Sequence, residues 1–416
     1  MNEEIKARIA AINSGIVPEG YKKTKIGIVP EEWEISPLVK YIVEYTEKSS
    51  KNNQYPVLTS SRKGIFLQSD YYNKQVASED NTGYNVVPFG YFTYRHMSDD
   101  EIFRFNINNI VEKGIVSTLY PVFTTENLDN NWLLNTLNYG TSFQKYALIQ
   151  KQGGSRTYMY LEKLKKLNLA FPPLPEQQKI AEILSTQDKL IELQEKKIEQ
   201  LKELKKAYLQ KMFPKKGSKY PEIRFKGFTE AWEQRKLGEC VTITSGEAPS
   251  KFKHGSVNYV KVDDLNYAYK TVVDTQNKVS DNPSMSKVKV GSVIFPKRGA
   301  AILTNKVRIL GVESYMDTNM MALTATSLDS DFLYVLISKE GLYKIADTST
   351  IPQINNKHIE PYEVIVPTLD EQKRIGELFA HLDTLITLHQ RKLDEEKQKK
   401  KSLMQLLLTG KVRVKL

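Results

Sequence analysis

Several stretches hold residues that could grip a polyanion. "LTSSRKGIFLQSDYYNKQ" (58–75) sets Ser60, Ser61, Arg62, Lys63 and Gly64 in a turn between two strand-like runs. Hydroxyls, a bidentate guanidinium and a glycine that permits close approach suit phosphate oxygens and base edges. The same residues also suit a solvated turn. In "GYFTYRHM" (90–97) alternation puts Phe92 and Tyr94 on one strand face, with Tyr91, Thr93 and Arg95 on the other. One face belongs to a core. Tyr94 and Arg95 are the candidates for contact, and an exposed arginine at a strand end is the plainer alternative. "FPKRGAAILTNKVRI" (295–309) reads as strand, turn, strand, with Lys297 and Arg298 at the tip and Lys306 and Arg308 two apart on one strand face. "QGGSRTY" (152–158) offers Ser155 and Arg156 as an anion nest or a flexible loop. It aligns with "STIPQI" (349–354), where Gln353 and nearby Asn355 could read adenine edges.

Catalytic constellations are missing from the sequence. There is no G-x-x-x-x-G-K-[ST] and no G-x-G-x-x-G. No [DN]-P-P-[YF] tetrapeptide of an amino-methyltransferase occurs, and "FPPL" (171–174) lacks both its polar start and its aromatic end. The five histidines lack ligand spacing. The Glu-x-Lys in "DEQK" (370–373) opens a helix, and its counterpart "EQQ" has Gln178 in place of Lys373. No catalytic residue, metal site or cofactor is expected in this chain.

Composition narrows the class. The chain has 416 residues, 40% hydrophobic and 26% charged, which suits a soluble protein of two or three domains. The acidic start lacks a secretory core, and the apolar runs are too short for a bilayer. One cysteine, Cys240, precludes an internal disulfide. Together these point to the cytoplasm and to no membrane partner. The net charge of +11 is spread as +2, +3, +2 and +4 over 1–174, 175–216, 217–366 and 367–416. Any nucleic acid must therefore be held by local clusters and not by a basic tail.

The elements that must position these clusters are repeated. A shift of 195 residues lays "FPPLPEQQKI" (171–180) on "VPTLDEQKRI" (366–375). From 176 to 213 the ungapped match holds 13 identities in 38 positions. Proline before each copy and acidic residues in the first turn are helix-start signals, while Pro214 and Gly410 are stop signals. Alternating steps of four and three from Ile180 give a heptad-like seam that includes Leu184, Ile191 and Ile198. The same register in the second copy gives Ile375, Phe379, Ile386 and Leu393. Two helices of about 35–40 residues, roughly 55–60 Å long, are predicted at 175–213 and 370–408, pairing antiparallel. Fainter echoes join Trp33 to Trp232, Leu38 to Leu237, and "PEIRF" (221–225) to "KVRV" (411–414). The plan is domain, long helix, domain, long helix: 1–174, 175–216, 217–366 and 367–416. The domains are read as α/β (α+β), with mixed or antiparallel sheets and short helices near 131–139 and 331–343.

Two P-x-L-x-E-Q-x-x-I helices, each after a β-rich domain opened by W-E-x-x-x-L, closely resemble the specificity subunit of type I restriction-modification enzymes. The resemblance covers the whole chain. It implies two target-recognition domains, near 20–170 and 218–365, each reading half of a split site in double-stranded DNA. It implies that the helices space the two domains and bind two modification (methyltransferase) subunits, with up to two restriction subunits completing an ATP-dependent nuclease. It implies adenine-N6 methylation, with S-adenosylmethionine, ATP and Mg used by the partner subunits, and no catalysis by this chain. Residues 1–19 precede the repeat, and the resemblance assigns them no role. Two other classes fit less of the sequence. A fused enzyme would need the missing signatures, and a plain coiled-coil scaffold would not need two divergent domains in matched positions.

Overall fold

In the computed structural model, described for residues 3–71, 79–151, 156–347 and 351–414, two long helices run through the chain at Leu174–Lys211 and Leu369–Leu407. They lie within two residues of the predicted spans. Each carries acid in its first turn, Glu176 in one and Asp370 and Glu371 in the other, where it meets the positive end of the helix dipole. At 38 and 39 residues they extend about 57–59 Å.

The chain divides into two compact units, residues 1–192 with 394–416, and residues 193–393. Each therefore contains one β-rich domain and parts of both helices.

In the first unit a four-stranded antiparallel sheet runs in the order Phe105–Ile107, Phe92–Tyr94, Val122–Thr125, Ile42–Glu44. Phe92, Tyr94, Phe105, Phe123 and Trp132 form its core, with Phe92 stacked on Phe123 at 4.7 Å. Ile180, Leu184 and Leu407 of the long helices join that same core. The N-terminal helix Glu3–Asn13 meets the C-terminal tail, where Lys411 Nζ donates to Asn13 Oδ1 at 2.6 Å. Residues 3–19 thus extend this unit beside the end of the second long helix.

In the second unit a five-stranded sheet runs Val241–Ser245, Met320–Ala325, Val293–Pro296, Arg308–Leu310, Thr271–Val272. Its last two strands are parallel and the other pairs antiparallel. A second sheet also mixes directions around His254–Val260. The mixed sheets and short helices match the α+β expectation.

The helices pair antiparallel within both units. Gln187 meets Glu396 and Asp188 meets Lys400 in the first; Gln194 meets His389 and Lys205 meets Asp383 in the second. The two numbers of each pair have a nearly constant sum, as antiparallel chains require. Every seam position from Ile180 to Met212, and from Ile375 to Leu407, is buried or half-buried. The three polar positions in each seam are not defects, because two of the three meet polar positions of the facing seam and the third pairs with an aspartate beside that seam. Gln187 bonds Glu396, Gln194 bonds His389, and Lys205 and Lys400 reach Asp383 and Asp188 across the pair. A polar contact in such a seam fixes register, since a slip would leave it unpaired against apolar side chains.

Candidate DNA interface

Each β-rich domain is fastened to its long helix by the repeated P-x-L-x-E-Q-x-x-I motif, and the structure shows why those residue types are needed. Glu176 and Glu371 are 1% exposed. A buried carboxylate is tolerable only with a paired cation and good hydrogen bonds. Glu176 accepts from Arg413 at 2.7 and 2.9 Å, and Glu371 accepts from Arg224 at 2.7 and 2.7 Å. These arginines come from the two short segments that echo each other after the helices. Each carboxylate holds its guanidinium above the ordinary arginine range, chiefly by hydrogen bonding.

The glutamines do a second task. Gln177 Oε1 accepts from the Asp129 backbone N–H at 3.0 Å, and its Nε2 donates to Pro172 O at 2.8 Å. Gln372 bridges Asp329 N and Pro367 O at the same distances. Asp129 and Asp329 in turn cap the helices Asn130–Tyr139 and Ser330–Glu340 through Trp132 N and Phe332 N. The strand that follows the opening tryptophan pairs with the strand before the motif in both units, Glu34–Pro37 with Asn168–Phe171 and Glu233–Lys236 with Glu363–Val366. The chain thus builds one anchor twice.

The outward clusters differ. In the first unit Leu58–Ser61 and Gly64–Leu67 form a hairpin with Arg62 and Lys63 at its turn. Ser60, Ser61, Arg62 and Arg95 line one cleft together with Ser98 and Asp99. Arg62 makes a bidentate pair with Asp100, at 2.8 and 2.5 Å. That pair and a bond from Ser98 hold the Asp100 carboxyl well below the usual carboxylate range. Arg156 Nε donates to Asp99 Oδ1 at 2.8 Å. Arg95 is exposed and has no ion-pair partner among the described residues. Lys63 is exposed and faces a neighbouring cleft lined by Asn106, Asn135 and Asn138. Ser155 lies outside the described residues.

Tyr94 is a correction. Its ring is fully buried, and its hydroxyl donates to Met159 O at 2.8 Å. Phe92 and Thr93 are buried too, because this strand is central in its sheet and both faces are covered. No edge of Tyr94 is left for a nucleic acid.

In the second unit the structure brings Lys297, Arg298, Gln353 and Asn355 together. Arg298 and Gln353 form a β-bridge, and Ile354 N donates to Lys297 O at 2.8 Å. Arg298 is exposed. Lys297 is half-buried, and desolvation pushes its ammonium below the usual range. Asn355 caps the turn Asn356–Ile359 and accepts from Gln353 Nε2 at 3.1 Å, so both amides are already engaged.

The link between the two strands is not a simple turn. A 3-10 helix covers Ala300–Thr304, and Asn305 is left-handed at φ 47°. Lys306 therefore precedes the strand Arg308–Leu310 and does not share a strand face with Arg308. Lys306 donates to Asn266, while Arg308 donates to the carbonyls of Ala268 and Val307. Burial pushes the Arg308 guanidinium below its usual range, with Tyr334, Tyr269 and Asp383 nearby. The four cations do not converge, because Arg308 is drawn toward the long-helix side.

The family model of the type I restriction modification DNA specificity domain matches residues 40–203 and again 229–398. The chain belongs to the type I restriction modification DNA specificity family. It is a specificity subunit, the DNA-recognition component and not the catalytic one. Curated relatives from Methanocaldococcus jannaschii include the type I restriction enzyme MjaVIII specificity subunit, 27% identical over 432 residues, covering 95% of this chain and 97% of that one. The MjaIX specificity subunit is 23% identical over 439 residues, covering 95% and 96%. Two solved structures share the fold. One comes from work on complex assembly and conformational transition of the type I R-M system, with TM-score 0.55, 14% identity, and 92% and 99% of the chains covered. The other is the type I restriction-modification S subunit from M. genitalium, with TM-score 0.51, 15% identity, and 92% and 96% covered. Among the described residues of this specificity subunit, no helix is long and apolar enough to cross a membrane.

Sequence reading missed Asp99 and Asp100 as partners of the two arginines, since contact between residues 38 and 57 positions apart leaves no local pattern. It also gave no role to Glu176 and Glu371 beyond helix capping. The arginine in each echoed tail was the signal that could have found their partners.

Proposed function

We propose that residues 1–174 and 217–366 act as two target-recognition domains, each reading one half of a split site in double-stranded DNA. Residues 175–216 and 367–416 then serve as the spacer and as the docking surface for two modification subunits. In the first domain the candidates for contact are Ser60, Ser61, Arg62, Lys63, Arg95, Ser155 and Arg156. In the second they are Lys297, Arg298, Lys306, Gln353 and Asn355, with Arg308 further from the tip. The partner subunits would supply S-adenosylmethionine-dependent adenine-N6 methylation and, with up to two restriction subunits, ATP- and Mg-dependent cleavage, in the cytoplasm.

The observation that carries this reading is the duplicated anchor. Arg413–Glu176–Gln177–Asp129 in one unit and Arg224–Glu371–Gln372–Asp329 in the other fasten different outer surfaces to equivalent helix positions. Equivalent positions on two helices suit two identical partners, and different outer surfaces suit two unlike half-sites. The helix seams of Ile180, Leu184, Ile191 and Ile198 with Ile375, Phe379, Ile386 and Leu393 supply the stiffness a spacer needs.

Co-expression with its modification subunit in a methylation-free host, followed by genome-wide mapping of N6-methyladenine, tests this. The expected result is a motif of two unlike halves around a fixed gap. No methylation despite a stable complex and an active partner would overturn it. Half-sites read from one face of B-DNA lie about 34–36 Å apart. Removing seven residues from each helix shortens the pair by roughly 10 Å, and the gap should shrink by roughly three base pairs.

A further inference from the structure

Tyr158 and Tyr160 sit on the surface of the first unit without a structural task for their outer faces. Their rings are parallel to within 12° and 5.7 Å apart. They are 36% and 49% exposed. Between them Met159 is fully buried and takes the Tyr94 hydrogen bond. Tyr158 ends a short strand and Tyr160 continues with extended backbone before the helix Leu161–Lys165, so the two tyrosines fall on the opposite side from Met159. The buried His96 ring backs them, 4.9 Å from Tyr160 and 6.1 Å from Tyr158. His96 is itself held by Leu119 O at 2.5 Å from its Nδ1. The rings are thus set on a rigid support.

Arginines lie near them, Arg156 paired with Asp99 and Arg95 with no ion-pair partner among the described residues. Tyr158 pairs with Met97 in the strand register, and Met159 N donates to His96 O at 2.8 Å. Met97 and the exposed Arg95 both line the cleft of Ser60, Ser61 and Arg62. Two residues before Tyr158, just ahead of the strand, is Arg156, which is paired with Asp99 at 2.8 Å. Parallel exposed aromatic faces bordered by arginines match the chemistry that holds unstacked bases, with stacking for the base and guanidinium groups for the phosphate.

We infer that Tyr158 and Tyr160 form a stacking platform for an unstacked nucleobase, with Arg95 and Arg156 beside it for the adjoining phosphates. A base inside a duplex has both faces covered by its neighbours. The platform therefore engages DNA only where a base has left the stack, as it must wherever a base is modified. The inference rests on the DNA-binding reading above, and the test separates the two.

The full chain is titrated with a 15-nucleotide oligo(dT) strand, an abasic strand of the same length and charge, and a duplex. Fluorescence anisotropy reads the affinities. Wild type should prefer bases over the abasic backbone by ~5- to 150-fold for each stacked base. Tyr158→Ala with Tyr160→Ala should remove that preference and leave abasic-strand and duplex binding unchanged. Tyr158→Phe with Tyr160→Phe should retain it, because the rings and not the hydroxyls act. Equal binding of both single strands by wild type, no binding of either, or a preference that survives the alanine pair would overturn the platform. Duplex binding retained in those cases leaves the DNA reading standing; duplex binding absent in wild type removes both.

Discussion

In one unit the buried Glu176 takes two bonds from Arg413 and a third from the Trp33 indole at 3.1 Å. In the other, Glu371 relies on Arg224, and the equivalent Trp232 indole N–H is buried without an acceptor. The outward cations diverge further. Arg62 and Arg156 are held by Asp100 and Asp99, whereas Lys297, Arg298, Lys306 and Arg308 form no ion pair among the described residues. An anchor that must be the same on both sides keeps its residue types under a physical constraint, the burial of a charge. A surface that meets a ligand is free of that constraint and drifts.

Changes at the anchor should have the largest effects and should break this comparison if it is wrong. Replacing Arg224 by Ala strands the Glu371 carboxylate and should cost about 3–5 kcal/mol, as measured by denaturant unfolding. Replacing Arg413 by Ala leaves Glu176 the Trp33 indole, so its cost should be smaller by about 1 kcal/mol. Equal losses would mean the indole bond does nothing.

The helix pair offers a finer version. Lys205–Asp383 and Lys400–Asp188 are the same pair under the 195-residue shift, yet Asp383 is 2% exposed and Asp188 51%. Replacing Asp383 by Asn should cost about 3 kcal/mol or more, while the same change at Asp188 should cost roughly 0.2–1 kcal/mol and fade in high salt. Thermal unfolding of the two variants at low and high salt separates them.

Substitutions at the outward cations should affect DNA alone, and least of all stability. Arg298→Ala should lower the slope of log affinity against log salt by about 1, as for one lost phosphate contact. Arg62→Ala should lower it by less, because Asp100 already neutralises that guanidinium. Asp100→Asn should steepen the slope toward that of a free arginine. A slope unmoved by Arg298→Ala would remove it from the interface.

Much of this architecture was legible because it is periodic. The seam from Ile180 and from Ile375 follows the 3.6-residue turn of a helix, and a repeated period needs no knowledge of distant contacts. The paired prolines and glycine marked the helix ends for the same local reason. The alternation at 90–97 was legible as a strand, but not its place in the sheet. A central strand is covered on both faces, so Tyr94 went to the core together with Phe92 and Thr93. Lys306 follows a left-handed Asn305 and stays outside the strand that begins at Arg308, a backbone choice that two-residue spacing does not reveal.

The sequence alone determined the doubled plan, the two long helices, their seam and the family, since each follows from local pattern or from self-similarity. Only the tertiary structure decided which carboxylate meets which arginine. Arg413 reaches Glu176 across 237 positions, and Arg62 reaches Asp100 across 38. Such contacts are set by how the sheets and helices close on one another, and burial then determines whether a charge anchors the fold or stays at the surface to meet a ligand.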